Sequence, residues 1–317
     1  MTVTTSPVQV SGEAGRCERA AIELPTLFLI LGTYGGWLAI TFQYGRWPLW
    51  IVAPVTAVLL TLQSSLQHEI LHGHPTRWRW VNRWFGVAPL SLWLPYERYR
   101  QDHLIHHVNE RLTDPFDDPE SFYRAPEEWA HMHALSRWRL RIQQTLAGRF
   151  LVGSIWMIGR FLVSELRGLK DNDKNQRLIW LEHLVWCVPV IAWIKIVCGM
   201  PLSLYVVAMV VPGYGIILIR SFAEHRARAD VRQRTAIVEG SWILGPLFLF
   251  NNLHAMHHEE PAMPWYQYHG RYRAIRAELL AANAGLVYRT YFDVARRFLF
   301  RAHDVIPHPM GRIPPTT

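Results

Sequence analysis

The chain has 317 residues, half of them hydrophobic and 18 % charged. Its three cysteines, Cys17, Cys187 and Cys198, are too few and too dispersed for a disulfide framework or a thiolate metal site. The formal net charge of +8 comes from scattered Lys and Arg residues that no nucleic-acid motif accompanies, so the basic excess points to lipid headgroups and not to nucleic acid.

Residues 1–23 are polar, with no apolar core, and are expected to form an N-terminal tail without the features of a cleavable signal peptide. No charged residue occurs from Leu24 to Gly45 or from Trp47 to Gln67. Pro201 to Ile219 is also uncharged, and Leu178 to Gly199 is interrupted only by Glu182 and Lys195. A helix needs roughly 20 apolar residues to cross the hydrocarbon core. Four membrane-spanning helices are therefore expected, at about 24–44, 47–67, 178–198 and 201–219. All but two of the 33 Lys and Arg residues, Arg46 and Lys195, lie in 1–23, 68–177 and 220–317. Four spans put those three segments on one side, which the positive-inside tendency makes cytoplasmic. Three shorter apolar stretches, 81–95, 149–166 and 240–253, fit helices lying in the interface plane. A single membrane domain over 24–300 is expected, with a Pro-rich tail over 301–317.

Nine of the 16 histidines are patterned. His68 and His72 follow the second apolar run in HEILH. His103, His106 and His107 form HLIHH. His225 follows the fourth run in SFAEHR. His254, His257 and His258 lie in NNLHAMHHEE. Residues three and four apart share a helical face, so each cluster offers its imidazoles in one direction. One zinc site takes three or four ligands; nine imidazoles on one membrane face suit two metals. Imidazole alone does not name the metal, since it serves Zn, Cu, Fe and Ni.

HEILH also satisfies the zinc-protease pattern HExxH, in which Glu69 would be the general base. That reading leaves seven patterned histidines without a task. A divalent-metal transporter would carry its ligands at mid-membrane depth, whereas these lie at the ends of the apolar runs and beyond.

In its order HxxxH, HxxHH, a lone His after a span and NxxHxxHH, the chain resembles the membrane fatty-acid desaturase and hydroxylase superfamily from about residue 24 to 268. The resemblance implies an all-α integral membrane fold of four transmembrane helices under a cytosolic helical cap. It implies a centre of two iron ions with O2 as co-substrate, held by His68, His72, His103, His106, His107, His225, His254, His257 and His258. It places Asn251 at the head of the last box and Ser221 where some members carry a metal-linked Asn. Glu69, His74, Asp102 and Glu224 stand beside the boxes as candidates to orient ligand imidazoles. The texture is similar to the bacterial branch, which includes desaturases of the dihydrorhizobitoxine type, so an inner-membrane location with both termini and the His boxes in the cytoplasm is expected. The implied activity is desaturation of a fatty acyl or lipid chain, with a small amino-acid-derived substrate or lipid hydroxylation as alternatives. No flavin, nicotinamide or cytochrome b5 signature is present, so electrons are expected from a ferredoxin or similar reductase system docking on the Arg-rich face.

Of the remaining histidines, His131 and His133 are expected in a polar loop, and His183 is expected to pair with Glu182. His269, His303 and His308 are expected on the surface. The acidic run Asn109, Glu110, Arg111, Asp114, Asp117, Asp118 and Glu120 reads as a solvated loop or the mouth of a polar-substrate pocket.

Overall fold

The computed structural model describes residues 20–108, 111–170 and 173–309. Most of the N-terminal tail with Cys17, residues Asn109 and Glu110 of the acidic segment, and the end of the C-terminal tail lie outside the described residues.

Two helical hairpins form the bundle. Helix α1 (Leu24–Phe42) opens with a proline in its first turn, where a missing N–H costs nothing. It turns back through Gly45, held at φ 80°, into α2 (Leu49–Leu71). Past α3 (Arg79–Gly86), α4 (Tyr96–His106), α5 (Pro126–His131) and α6 (Ala134–Gln143) comes the long apolar helix α7 (Leu146–Lys170). The second hairpin is α8 (Lys174–Val197) and α9 (Leu202–Glu224), joined through Gly199 at φ 65°. The Asp173 carboxylate caps α8 by accepting from the Asn175 and Gln176 amides. Five of these helices, α1, α2, α7, α8 and α9, are long and apolar enough to cross a membrane. The stretch 149–166, expected as an interface helix, is thus part of a fifth such helix.

Both ends of α7 contact the same end of the bundle. Near its start Arg149 donates to the Gln143 carbonyl at 2.8 Å and lies over the Phe122 ring. Near its end Glu165 meets Arg98 of α4 at 3.2 Å and accepts from the indole of Trp180 at 2.8 Å.

α2 and α9 cross where Gly213 removes a side chain: a Cβ there would lie 2.9 Å from the Ala57 carbonyl oxygen. Thr61 Oγ donates across the crossing to the Gly213 carbonyl at 3.0 Å. This contact fixes the end of α2, which carries the first histidine box, beside the end of α9, which carries His225.

The stretch 81–95 is not one interface helix. After α3 it loses helical form, and residues 87–94 dip between the long helices, where Leu90 packs with Trp37, Val52, Ile194 and Tyr205. Non-helical backbone inside an apolar bundle needs partners for its carbonyls. Side chains on the long helices supply them. Tyr34 donates to Phe85, Gln67 to Gly86 and Gln63 to Ala88, while Tyr205 donates to Leu90, at 2.7–3.1 Å. His183 Nε2 meets the Leu92 carbonyl at 3.0 Å, and its neighbour Glu182 is paired with Arg83, so the expected Glu182–His183 pair does not form.

The chain from 225 onward packs over the ends of α2, α4 and α9. It contains β1 (Ile237–Val238) paired in parallel with β2 (Val287–Tyr288), the only sheet among the described residues. Four helices complete it: α10 (Leu244–Leu247), α11 (His254–Glu259), α12 (Tyr268–Ala282) and α13 (Tyr291–Phe298). The stretch 240–253 contributes only the single turn α10, because Leu249 and Phe250 take positive φ and break the helix.

Tyr205→Phe removes the donor to Leu90 and the acceptor for the Trp37 indole, which lies 3.0 Å from the Tyr205 hydroxyl. Leaving two buried groups unpaired is expected to cost about 1–3 kcal/mol each. Thermal unfolding in micelles should show a clear loss of stability, with Tyr44→Phe, at the partly buried α1–α2 turn, as an unaffected control.

Candidate metal centre

The helical spacing of each box decides where its imidazoles go. In α2 the pair His68 and His72, in α4 the pair His103 and His107, and in α11 the pair His254 and His258 are each four apart. The members of each pair join the same group. The middle histidine of each HxxHH box, His106 or His257, points to the other group. The result is five imidazoles together, His68, His72, His103, His107 and His257, and four together, His106, His225, His254 and His258. Within each group the candidate ligand nitrogens all lie within 4.8 Å of one another. The groups adjoin: the rings of His107 and His258 stack at 4.4 Å.

The Nε2 atoms face inward. His103 approaches His72 at 3.1 Å and His107 at 2.9 Å, and His257 approaches His107 at 2.9 Å. In the other group His225 lies 3.0 Å from His106 and 2.9 Å from His254, with His258 3.2 Å from His254. Four of the Nδ1 atoms face outward onto partners. His103 meets Glu120 at 2.8 Å, His106 meets Asp118 at 3.0 Å, and His254 meets the Asn251 side-chain oxygen at 3.0 Å. Carboxylate and amide oxygens only accept, so these three imidazoles carry their proton on Nδ1 and turn a lone pair inward on Nε2. His257 Nδ1 is held by the Tyr268 hydroxyl at 2.9 Å.

Burial holds His72, His103, His225, His254, His257 and His258 well below the usual imidazole range, and His107 down to about 2. Burial thus favours the neutral ring, whose lone pair a metal can take. His106 differs: burial lowers it, but Asp118 and Glu120 outweigh burial and raise it to about 9. That carboxylate field favours a positive charge at His106, which a coordinated cation satisfies as a proton does. Converging lone pairs backed by carboxylates fit metal ions, and each group can hold one. Outer partners of this kind commonly change metal affinity by about 10–100-fold.

The structure relocates several expected residues. Asp118 is buried and Glu120 partly so, and both serve the imidazoles, so the acidic run is not a solvated loop. Asp102 turns away from His103 to pair with Arg98 at 3.2 Å. Ser221 Oγ lies 3.5 Å from the Leu218 carbonyl, its hydroxyl bonded along its own helix. Glu69 is buried, accepts from the Trp265 amide at 2.9 Å and lies 3.7 Å from His74. His74 in turn binds Glu23 at 2.7 Å. Glu224 pairs with Arg220 at 2.8 Å and approaches His254 Nδ1 at 3.3 Å. Asn251 reaches His68 as well as His254. His269 is exposed, but His303 and His308 are buried, against expectation: His303 Nε2 bonds the Tyr288 hydroxyl at 2.8 Å, and His308 meets Thr113 at 3.2 Å. His131 sits at the end of α5 and His133 caps α6.

A helical membrane protein with two adjoining histidine groups defines a class of metal-dependent oxidoreductase. The profile of the fatty acid desaturase family matches residues 45–292, more than two thirds of the chain, and the chain belongs to that family of non-haem di-iron oxidoreductases. Comparisons with curated proteins and with solved structures gave no match.

His303→Ala leaves the Tyr288 hydroxyl unpaired and opens a void against Phe222 and Phe298. A loss of about 1–3 kcal/mol is expected, read as a lowered thermal midpoint.

Proposed function

We propose that the chain is an O2-dependent di-iron desaturase of an aliphatic chain at the membrane surface. The observation that carries this reading is the five-and-four division of nine inward-facing imidazoles. One iron would be held by His68, His72, His103, His107 and His257, and the other by His106, His225, His254 and His258. Glu120, Asp118, Asn251 and Tyr268 orient four of those rings. The irons, when bound, supply oxygen activation and the oxidising power to remove hydrogen from an unactivated C–H bond. The balance is complete when the substrate loses two hydrogens, an external carrier gives two electrons with two protons, and O2 leaves as two waters. A ferredoxin or similar carrier is proposed as that donor. The zinc-protease reading leaves seven imidazoles without a task, three of them grouped with His68 and His72.

We also propose four membrane spans, α1, α2, α8 and α9. His225, at the end of α9, touches His106, so α9 must end on the side where α2 ends. α8 is joined to α9 by a short turn and must therefore begin on that same side. No span candidate lies between His107 and α7 among the described residues, so α7 begins there too. A helix that starts and finishes on one side has not crossed, and α7 lies along the interface despite its length. By the positive-inside tendency that side, with the histidines, is the cytoplasmic face of a bacterial inner membrane.

Expression with a ferredoxin–reductase pair, followed by mass spectrometry of lipids and polar metabolites, tests the activity. A product two mass units lighter than its precursor is expected, and it should vanish in His258→Ala while the protein still inserts. A gain of sixteen units without any loss of two makes the chain a hydroxylase, and full activity in His258→Ala removes the ligand assignment.

A further inference from the structure

Beside the metal centre lies a cavity of about 30 Å³, bounded by the 113–123 loop, the start of α7 and the end of α9. A site of about 10–15 Å³ by the same kind of measure holds one water, so this one has room for a small polar group and no more. His225 forms one wall, and Gln144, Ser121, Tyr123 and Ser221 contribute polar groups. Arg149 also lines it, at the first position of a five-residue π-helical turn, Arg149–Gly153. Such turns are rare and concentrate at functional sites.

Arg149 is the unusual element. It is 3 % exposed, yet no carboxylate among the described residues pairs with it. Its Nε donates to the Gln143 carbonyl, while its Nη1 is buried with no hydrogen-bond partner. The Phe122 ring, 3.7 Å from the guanidinium carbon, compensates the charge in part. A buried cation without a counter-charge is costly enough that proteins rarely keep one. The acidic residues lining the same cavity are committed elsewhere: Asp118 to His106, Glu120 to His103 and Glu224 to Arg220. The charge of Arg149 is the one left over.

We propose that this cavity is a subsite for a free carboxylate on the substrate, with Arg149 as its counter-ion and the aliphatic part extending outward from it. This rests on the desaturase reading and narrows its substrate class to chains bearing a free acid, as opposed to esters, thioesters or amides. Arg149 touches the acid group and so fixes which carbons are presented for oxidation.

The experiment uses the full chain in lipid nanodiscs, with iron content measured first. Hexanoate and its neutral counterpart hexanamide are titrated calorimetrically. A charge-assisted hydrogen bond contributes about 1.5–3 kcal/mol, so hexanoate is expected to bind about 10- to 100-fold more tightly than hexanamide. Arg149→Gln should abolish that preference, and Arg149→Lys should retain part of it. Should Arg149→Gln fail to fold, Ser221→Leu fills the cavity from α9 and should abolish the preference by exclusion. Equal binding of both probes by the iron-loaded protein, or a preserved preference in a folded Arg149→Gln or Ser221→Leu protein, overturns the subsite while leaving the desaturase reading intact. Absence of iron counts instead against the parent reading.

Discussion

Six contacts of 2.9–3.2 Å between imidazole nitrogens are the constraint on which the rest of the structure depends. A neutral imidazole has one N–H and one lone pair. Where Nδ1 is spent outward on Glu120, Asp118 or Asn251, the inward Nε2 turns a lone pair into the centre, and lone pairs converging on one point suit a cation. The outer carboxylates set the tautomers and supply negative charge at the same time. Their buried position in the 113–123 loop is in turn held by local bonds, such as the Thr113 amide to Asp118 at 2.8 Å. The division of each HxxHH box follows from helix geometry alone: positions i and i+4 stay with one group, and i+3 reaches the next.

The bundle answers a second demand, that of bringing the ends of α2, α4, α9 and α11 to one point at a membrane surface. The close crossing at Gly213 aligns α2 with α9. The irregular segment 87–94 carries the chain from α3 to α4, and its carbonyls and those of the last two residues of α3 are satisfied by Tyr34, Gln63, Gln67, His183 and Tyr205, which would otherwise be unexplained polar groups on apolar helices. Buried polar residues on the long helices thus support the backbone that leads to the site.

The apolar runs and the patterned histidines were legible in the sequence because both signals are local: absence of charge over a span's length, and imidazoles at helical spacing. The partners of those imidazoles were not. Asp118 and Glu120 lie 12 and 17 residues beyond the histidines they hold, in a run indistinguishable by composition from a solvated loop. Asp102 was adjacent in sequence but lies on the helix face that meets Arg98. His303 and His308 looked like surface residues of a polar tail, yet the tail folds back, with the His303 amide bonded to the Gln144 carbonyl and His308 to that of Arg124. The apolar length of α7 does not reveal its contacts, which join its start to α6 and its end to α4 and α8. Arg149 was read only as part of an apolar stretch, since nothing local marks an arginine that the fold buries.

The central claim is that each histidine group holds one iron. Protein loaded with 57Fe during expression, quantified for metal and examined by Mössbauer spectroscopy, addresses it directly. The account expects two irons per chain in nitrogen-rich sites, and one iron fewer, with one signal retained, when His225 is replaced by Ala. A single metal per chain, or two irons unaffected by loss of His225, would contradict it.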